Sequence, residues 1–224
     1  MPGMSASLPW YFARSAGILA WALLSASVVW GLLLSTKAKV GARKPRPAWM
    51  LDMHRYLGGL AVVFTVVHVL AVMADKYVHF DPISALVPFA ASWHPFAVAW
   101  GIASLYLLLA VELTSLVRTK LPKGWWRKVH FATFVLFGTA TVHGLSAGTD
   151  ARSWLFQGVA TGVVLLVAGL TGKRVLEATR PKPARPPRRP AAVLRDPAPT
   201  LPTAAATPTA APAARREARV HASV

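Results

Sequence analysis

The chain is 224 residues long, 54% hydrophobic and 15% charged, with a formal net charge of +17 and no cysteine. That is too apolar, and too unevenly so, for one soluble domain. The missing cysteines exclude disulfides, thiolate nucleophiles, iron–sulfur clusters and thioether-attached haem.

Apolar runs of about 20 residues are long enough to cross a bilayer, and five occur, at roughly 15–35, 55–74, 96–117, 129–147 and 154–172. Each should be a helix, because in lipid every backbone polar group must be satisfied within its own segment. The expected fold is all-α: a polytopic membrane bundle of about five helices (10–175), with a short external N-terminus (1–9) and a disordered basic tail (176–224).

The distribution of charge sets the topology. Twenty-two of the 25 Lys and Arg lie in 37–46, at Arg55, in 118–128 or after Gly172, and only Arg14, Lys76 and Arg152 fall on the other side. This asymmetry is the positive-inside signal. It puts the N-terminus outside, the C-terminus in the cytoplasm and the protein in the plasma membrane, and it accounts for the charge without a nucleic-acid partner.

The first run follows a leader, MPGMSASLPW, with no basic n-region or cleavage-like site, so it is expected to stay as a helix. Trp10, Tyr11 and Trp30 near its ends read as interfacial aromatics. Arg14 at its outer edge either snorkels to the headgroups or neutralises a carboxylate of a bound cofactor.

The second run carries His54 and His68. Fourteen helical residues rise roughly 21 Å and turn about 1400°, some 40° short of four whole turns. Both imidazoles therefore leave nearly one face, one near each side of the bilayer. Gly58 and Gly59 between them offer room for a flat macrocycle or a neighbouring helix.

The outer loop DKYVHFDPISALVPFAASWHP holds His79, Asp81 and His94, which read first as surface residues and second as a metal site. His94-Pro95-Phe96 is similar to a flavin-contacting tripeptide of reductase barrels, but no strand pattern surrounds it. In the third run, Glu112 lies near Arg118 and the inner interface. An ion pair or snorkelling is the preferred reading over a proton relay.

The fourth run, WRKVHFATFVLFGTATVHGLSAGTD, carries His130 and His143. It runs parallel to the second, so depth pairs His54 with His130 near the cytoplasm and His68 with His143 near the outside. Thirteen residues turn about 1300°, however, so the two imidazoles of an ideal helix would not share a face. The expectation is either a distortion near Gly138 or Gly144, or ligands approached from different azimuths.

An ionisable side chain at a bilayer's centre costs roughly 2.5–3.5 kcal/mol even on lenient scales. Four histidines paired at two depths point to iron ligands, two per haem, which fills both axial positions and favours electron transfer over oxygen binding. The expected metal ligands are His54, His68, His130 and His143, and the expected cofactors are two b-type haems. Arg55 and Arg127, with Lys128, are candidate partners of the inner haem's propionates, and Lys76, Arg152 and Arg14 of the outer one's. Trp125 and Trp126 read as interfacial anchors. The fifth run has one polar residue, Gln157, and no ligand candidate.

The two histidine spacings, TSLVR after the third run, and WWRKVH followed by VHGLSAGTD resemble the ferric reductase-like transmembrane family. That family includes the membrane parts of ferric reductases and NADPH oxidases and the haem subunit of a bacterial methionine sulfoxide reductase system. The resemblance spans roughly Trp10 to Gly172. It implies that the four histidines ligate haem and that electrons cross the membrane from a cytoplasmic donor to an external acceptor such as ferric iron, oxygen or a partner reductase. Five spans fall one short of the six common among relatives. The tail lacks a nucleotide fingerprint and strand–helix alternation, so the donor is expected to be a separate flavoprotein or quinol, with flavin or quinone at a partner interface. The other readings are a quinol-linked cytochrome b anchor subunit and a haem-free scaffold recruiting partners through its basic tail.

Overall fold

The computed structural model describes residues 8–36, 47–75 and 80–179. Seven helices occur among them, α1 (Leu8–Thr36), α2 (Pro47–Ala74), α3 (Pro82–Leu86), α4 (Pro95–Leu116), α5 (Lys123–Phe131), α6 (Thr133–Ala147) and α7 (Trp154–Thr179), with a 3-10 turn at Thr149–Arg152. There is no strand among the described residues. Five segments are long and apolar enough to cross a membrane: Leu8–Ser35, Ala48–Ala74, Pro95–Leu116, Lys123–Ala147 and Trp154–Thr179. Lys76, His79 and the chain from Arg180 onward lie outside the described residues.

Helix α2 begins at Pro47, two turns before His54. Proline suits a first helical turn, where its missing N–H costs nothing. His54 therefore sits inside a helix rather than at its start. Helix α4 likewise begins at Pro95, after His94 in the left-handed region at φ 41°. The His94-Pro95-Phe96 tripeptide is thus a helix entrance. The short α3 is capped by Asp81, whose carboxylate accepts from the Ser84 N–H at 2.8 Å. Hydrogen bonding from the Ser84 side chain, and next from its backbone N–H, holds the Asp81 carboxyl below its usual range. The cap is therefore present at neutral pH and lost as pH falls through the lowered value.

The helices pack as two antiparallel pairs, α1 with α2 and α4 with α6, and α7 lies against α1. Their shared core contains Leu24, Val28 and Leu32 of α1, Ala61 of α2, Leu108 of α4, and Leu136 and Phe137 of α6. Large apolar side chains such as Phe12, Leu70, Leu113 and Leu165 are exposed, as expected where the surrounding solvent is lipid rather than water. Since lipid is as apolar as the core, packing and interhelical hydrogen bonds must hold the bundle together. Two such bonds are buried: Trp21 Nε1 donates to Thr141 Oγ1 at 3.1 Å, and Ser104 Oγ to Thr139 Oγ1 at 2.9 Å.

At one end of the bundle the Arg14 guanidinium makes a bidentate ion pair with Asp150 and lies 5.1 Å from the Trp10 ring. Arg14 is thus paired with a carboxylate of the chain itself. It ties α1 to the turn before α7. The pair is partly exposed, at 39% and 21%, so solvent screens it. Asp150→Asn is expected to cost about 1 kcal/mol or less, read as a small fall in the thermal midpoint in detergent that shrinks further at high salt.

Candidate functional site

Four membrane-embedded imidazoles come together as two facing couples. His54 of α2 and His130 of α5 have ring centroids 5.9 Å apart with planes at 81°. His68 of α2 and His143 of α6 are 6.2 Å apart at 73°. The pairing by depth expected from the sequence is the pairing observed.

The fourth span achieves this by breaking. Neither expected glycine is the site: Gly138 faces open space and Gly144 meets only Phe156. The interruption is at Ala132, between α5 and α6. There the Ala132 N–H reaches the Val129 carbonyl at 3.0 Å, an i to i−3 bond, and the Thr133 hydroxyl takes the His130 carbonyl. A turn of 3-10 type advances about 120° per residue instead of about 100°. The interruption lies between the two histidines, and both rings meet α2 despite their thirteen-residue spacing.

Three of the imidazoles are held by a repeated device. His68 Nδ1 donates to the Ala13 carbonyl at 2.7 Å, His54 Nδ1 to the Ser27 carbonyl at 3.0 Å, and His143 Nδ1 to the Ala97 carbonyl at 2.8 Å. In each case the residue four positions further along the helix is glycine: Gly17, Gly31 and Gly101. A Cβ on Gly17 would lie 2.8 Å from His68 Nδ1, one on Gly31 3.2 Å from His54 Cε1, and one on Gly101 2.7 Å from His143 Cε1. The glycine clears the space through which the ring reaches a carbonyl of the neighbouring helix. An imidazole that donates from Nδ1 keeps its Nε2 lone pair, the arrangement typical of metal-ligating histidine. Sequence reasoning missed these glycines. Their signal was present, since Gly17 and Gly31 are fourteen apart, as are His54 and His68, and an antiparallel neighbour must match that rise.

His130 is the exception. Its Nδ1 is buried without a hydrogen-bond partner, and its ring stacks on Trp126 at 5.1 Å and 22°. Trp126 is therefore a packing partner of the site, whereas Trp125 is half exposed. Gly58, expected to admit a macrocycle or a neighbouring helix, meets a side chain of the neighbouring helix α4: a Cβ there would be 2.6 Å from Glu112 Oε1. Glu112 makes no ion pair with Arg118, because α4 ends at Leu116 and Arg118 belongs to the following turn. Arg55 reaches Asp52 at 3.6 Å, with both side chains well exposed. Arg127, Lys128 and Arg152 are exposed.

The donor set fits two axially ligated metal centres. Metal–nitrogen bonds of roughly 2.0–2.1 Å on both sides, with about 1.2 Å from each nitrogen to its ring centre, need roughly 6.4 Å between centroids. Both couples come close to that value. His68 and His143 also line a cavity of about 390 Å³, together with Ala13, Gly17, Gly101 and Asp150.

A family model described as the ferric reductase like transmembrane component matches residues 16–141. The match takes in His54, His68 and His130 and stops two residues before His143. No curated protein and no solved structure matches the chain. The helical membrane bundle and the match over more than half its length place this chain in the ferric reductase-like transmembrane family.

Proposed function

We propose that the chain is a di-haem b-type cytochrome. It would carry electrons from a cytoplasmic donor, a separate flavoprotein or quinol, to ferric iron, oxygen or a partner reductase outside. The observation that carries this reading is the pair of facing imidazole couples at two depths, with Nδ1 engaged on three of the four rings. When bound, haem supplies one-electron redox chemistry. His54 and His130 would hold one, and His68 and His143 the other. With two imidazoles for each iron, the chain's part would be conduction rather than oxygen binding at the metal.

The remaining residues set the surroundings. The carbonyls of Ser27, Ala13 and Ala97 fix ring orientation, and all four rings are half-buried. Arg55 and Arg127, each next to or near a ligand of the His54/His130 couple in sequence and exposed, would meet propionates, Arg55 by exchanging its partner Asp52, while flavin or quinone would sit in a partner's interface. The distribution of Lys and Arg supports a plasma-membrane orientation with that couple toward the cytoplasm.

The test is a reduced-minus-oxidised optical spectrum of the purified protein, with a pyridine haemochrome assay for haem per chain. The expected result is two non-covalent b haems. Colourless protein from cells able to supply haem would return the histidines to a structural or proton-handling role. Deleting the chain after Arg180 should leave the spectrum unchanged, because every proposed ligand precedes it. Loss of the spectrum would give the tail a part in holding the cofactor.

A further inference from the structure

One of the four proposed ligands lacks the support the other three share. On α1, two glycines fourteen residues apart seat His68 and His54. On α4 only Gly101 does so, for His143. Fourteen residues beyond Gly101, on the same helix face and roughly 21 Å along it, stands Ser115. Helix α4 runs antiparallel to α6 and also packs against α5, so this position lies at the level of His130.

The serine is as unpartnered as the histidine. Ser115 Oγ and His130 Nδ1 are both buried side-chain atoms with no hydrogen-bond partner among the described residues. A helical hydroxyl ordinarily folds back on the carbonyl one turn earlier, as Thr65 does to Ala61 at 2.7 Å and Thr114 to Ala110 at 2.7 Å. Ser115 does not. A side chain in place of glycine holds a ring off the backbone carbonyl, but a hydroxyl extends toward it and can accept instead. A buried polar group left unsatisfied loses its water partners without replacement, and one bond between these two removes both costs.

We infer that Ser115 is the positioning residue for His130, its hydroxyl accepting the Nδ1–H when the His54/His130 couple is loaded. The two are not joined in this structure, and rotation of the serine side chain supplies the bond. The inference rests on the haem reading above. Donation from Nδ1 raises the basicity of the ligand nitrogen and so favours the ferric state. Loss of the hydroxyl should raise the midpoint potential of that one haem.

The experiment uses full-length, haem-loaded protein and compares wild type with Ser115→Ala, Ser115→Thr, Ser115→Val and Ser25→Ala. The last removes the other buried unpartnered serine hydroxyl, which lies off the glycine face of α1. Haem per chain is measured first, then low-temperature EPR of the ferric low-spin signals, whose anisotropy follows the axial ring planes, and an optical redox titration. The alanine and valine variants should shift one ferric signal and raise its midpoint, leaving the other haem untouched, while threonine and Ser25→Ala behave as wild type. The threonine–valine comparison differs only by hydroxyl against methyl and decides the matter if the alanine variant fails to fold. Unchanged signals in a variant holding both haems would overturn the inference, as would equal shifts with threonine and valine or a shift of both haems together. Wild type without haem would remove the underlying reading at the first step, before any variant is compared.

Discussion

Replacing His68 or His143 by alanine is expected to remove one of two haems and leave the other in place, bound by His54 and His130. Each couple draws its two imidazoles from different helices, and the 5.9 and 6.2 Å ring separations assign every ring to one partner only. Losing one axial ligand opens the coordination position it filled. The site around it also loses a ring that the Ala13 or Ala97 carbonyl had oriented. The pyridine haemochrome assay should fall to about half, with one of two components gone from the redox titration. His54→Ala and His130→Ala should remove the complementary component. Equal loss of both components from any single change would mean that the couples are not separate sites.

The glycine substitutions should grade themselves by distance. Gly17→Ala and Gly101→Ala would place a methyl group 2.8 Å from His68 Nδ1 and 2.7 Å from His143 Cε1, closer than real Cβ contacts come. The ring must then leave its carbonyl. Losing such an orienting partner typically costs about 10–100-fold in metal affinity, so the haem held by His68 and His143 should wash out during purification although both ligands are present. Gly31→Ala, at 3.2 Å from His54 Cε1, asks the ring to give by only a few tenths of an ångström and should weaken the other haem far less. Gly59→Ala and Gly138→Ala meet nothing within 4 Å. They should keep both haems and, by ordinary helix propensity, gain up to about 1 kcal/mol. Haem retention through a desalting column, compared across the five variants, reads the series directly, and a flat series would dismiss the cradle.

The five spans and the pairing of His54 with His130 and His68 with His143 were legible because they depend on length, hydropathy and helical rise, all of which survive without knowledge of packing. Helix rotation was not legible. A span that is apolar on every face has no amphipathic stripe to say which side meets protein, so Gly58 and Gly59 drew attention merely by standing between two histidines. One of them in fact seats Glu112 and the other faces open space. The glycines that matter are on α1 and α4, helices with no ligand, and their role follows from register with a neighbour. The break at Ala132 escaped for a related reason. It is made by local hydrogen bonds around an unremarkable alanine, not by a residue type that announces a kink. Thirteen against fourteen residues signalled that some distortion was required without saying where.

The device that seats three imidazoles bears on speed as well as on affinity. Electron transfer is slowed by whatever must move when charge changes. Here each ring is held by a backbone carbonyl inside a helix, with the Ser27 hydroxyl an additional neighbour of His54 Nδ1 at 3.2 Å. A helical carbonyl is already fixed by its own i to i−4 bond and has almost no freedom to swing when a bound metal gains or loses an electron. The glycine beneath each ring removes the remaining slack by bringing it into close contact. On the proposed di-haem reading, helices α1 and α4, which contribute no ligand, would thereby supply stiffness and make the bundle a medium of low reorganisation energy for charge passing between its two ends.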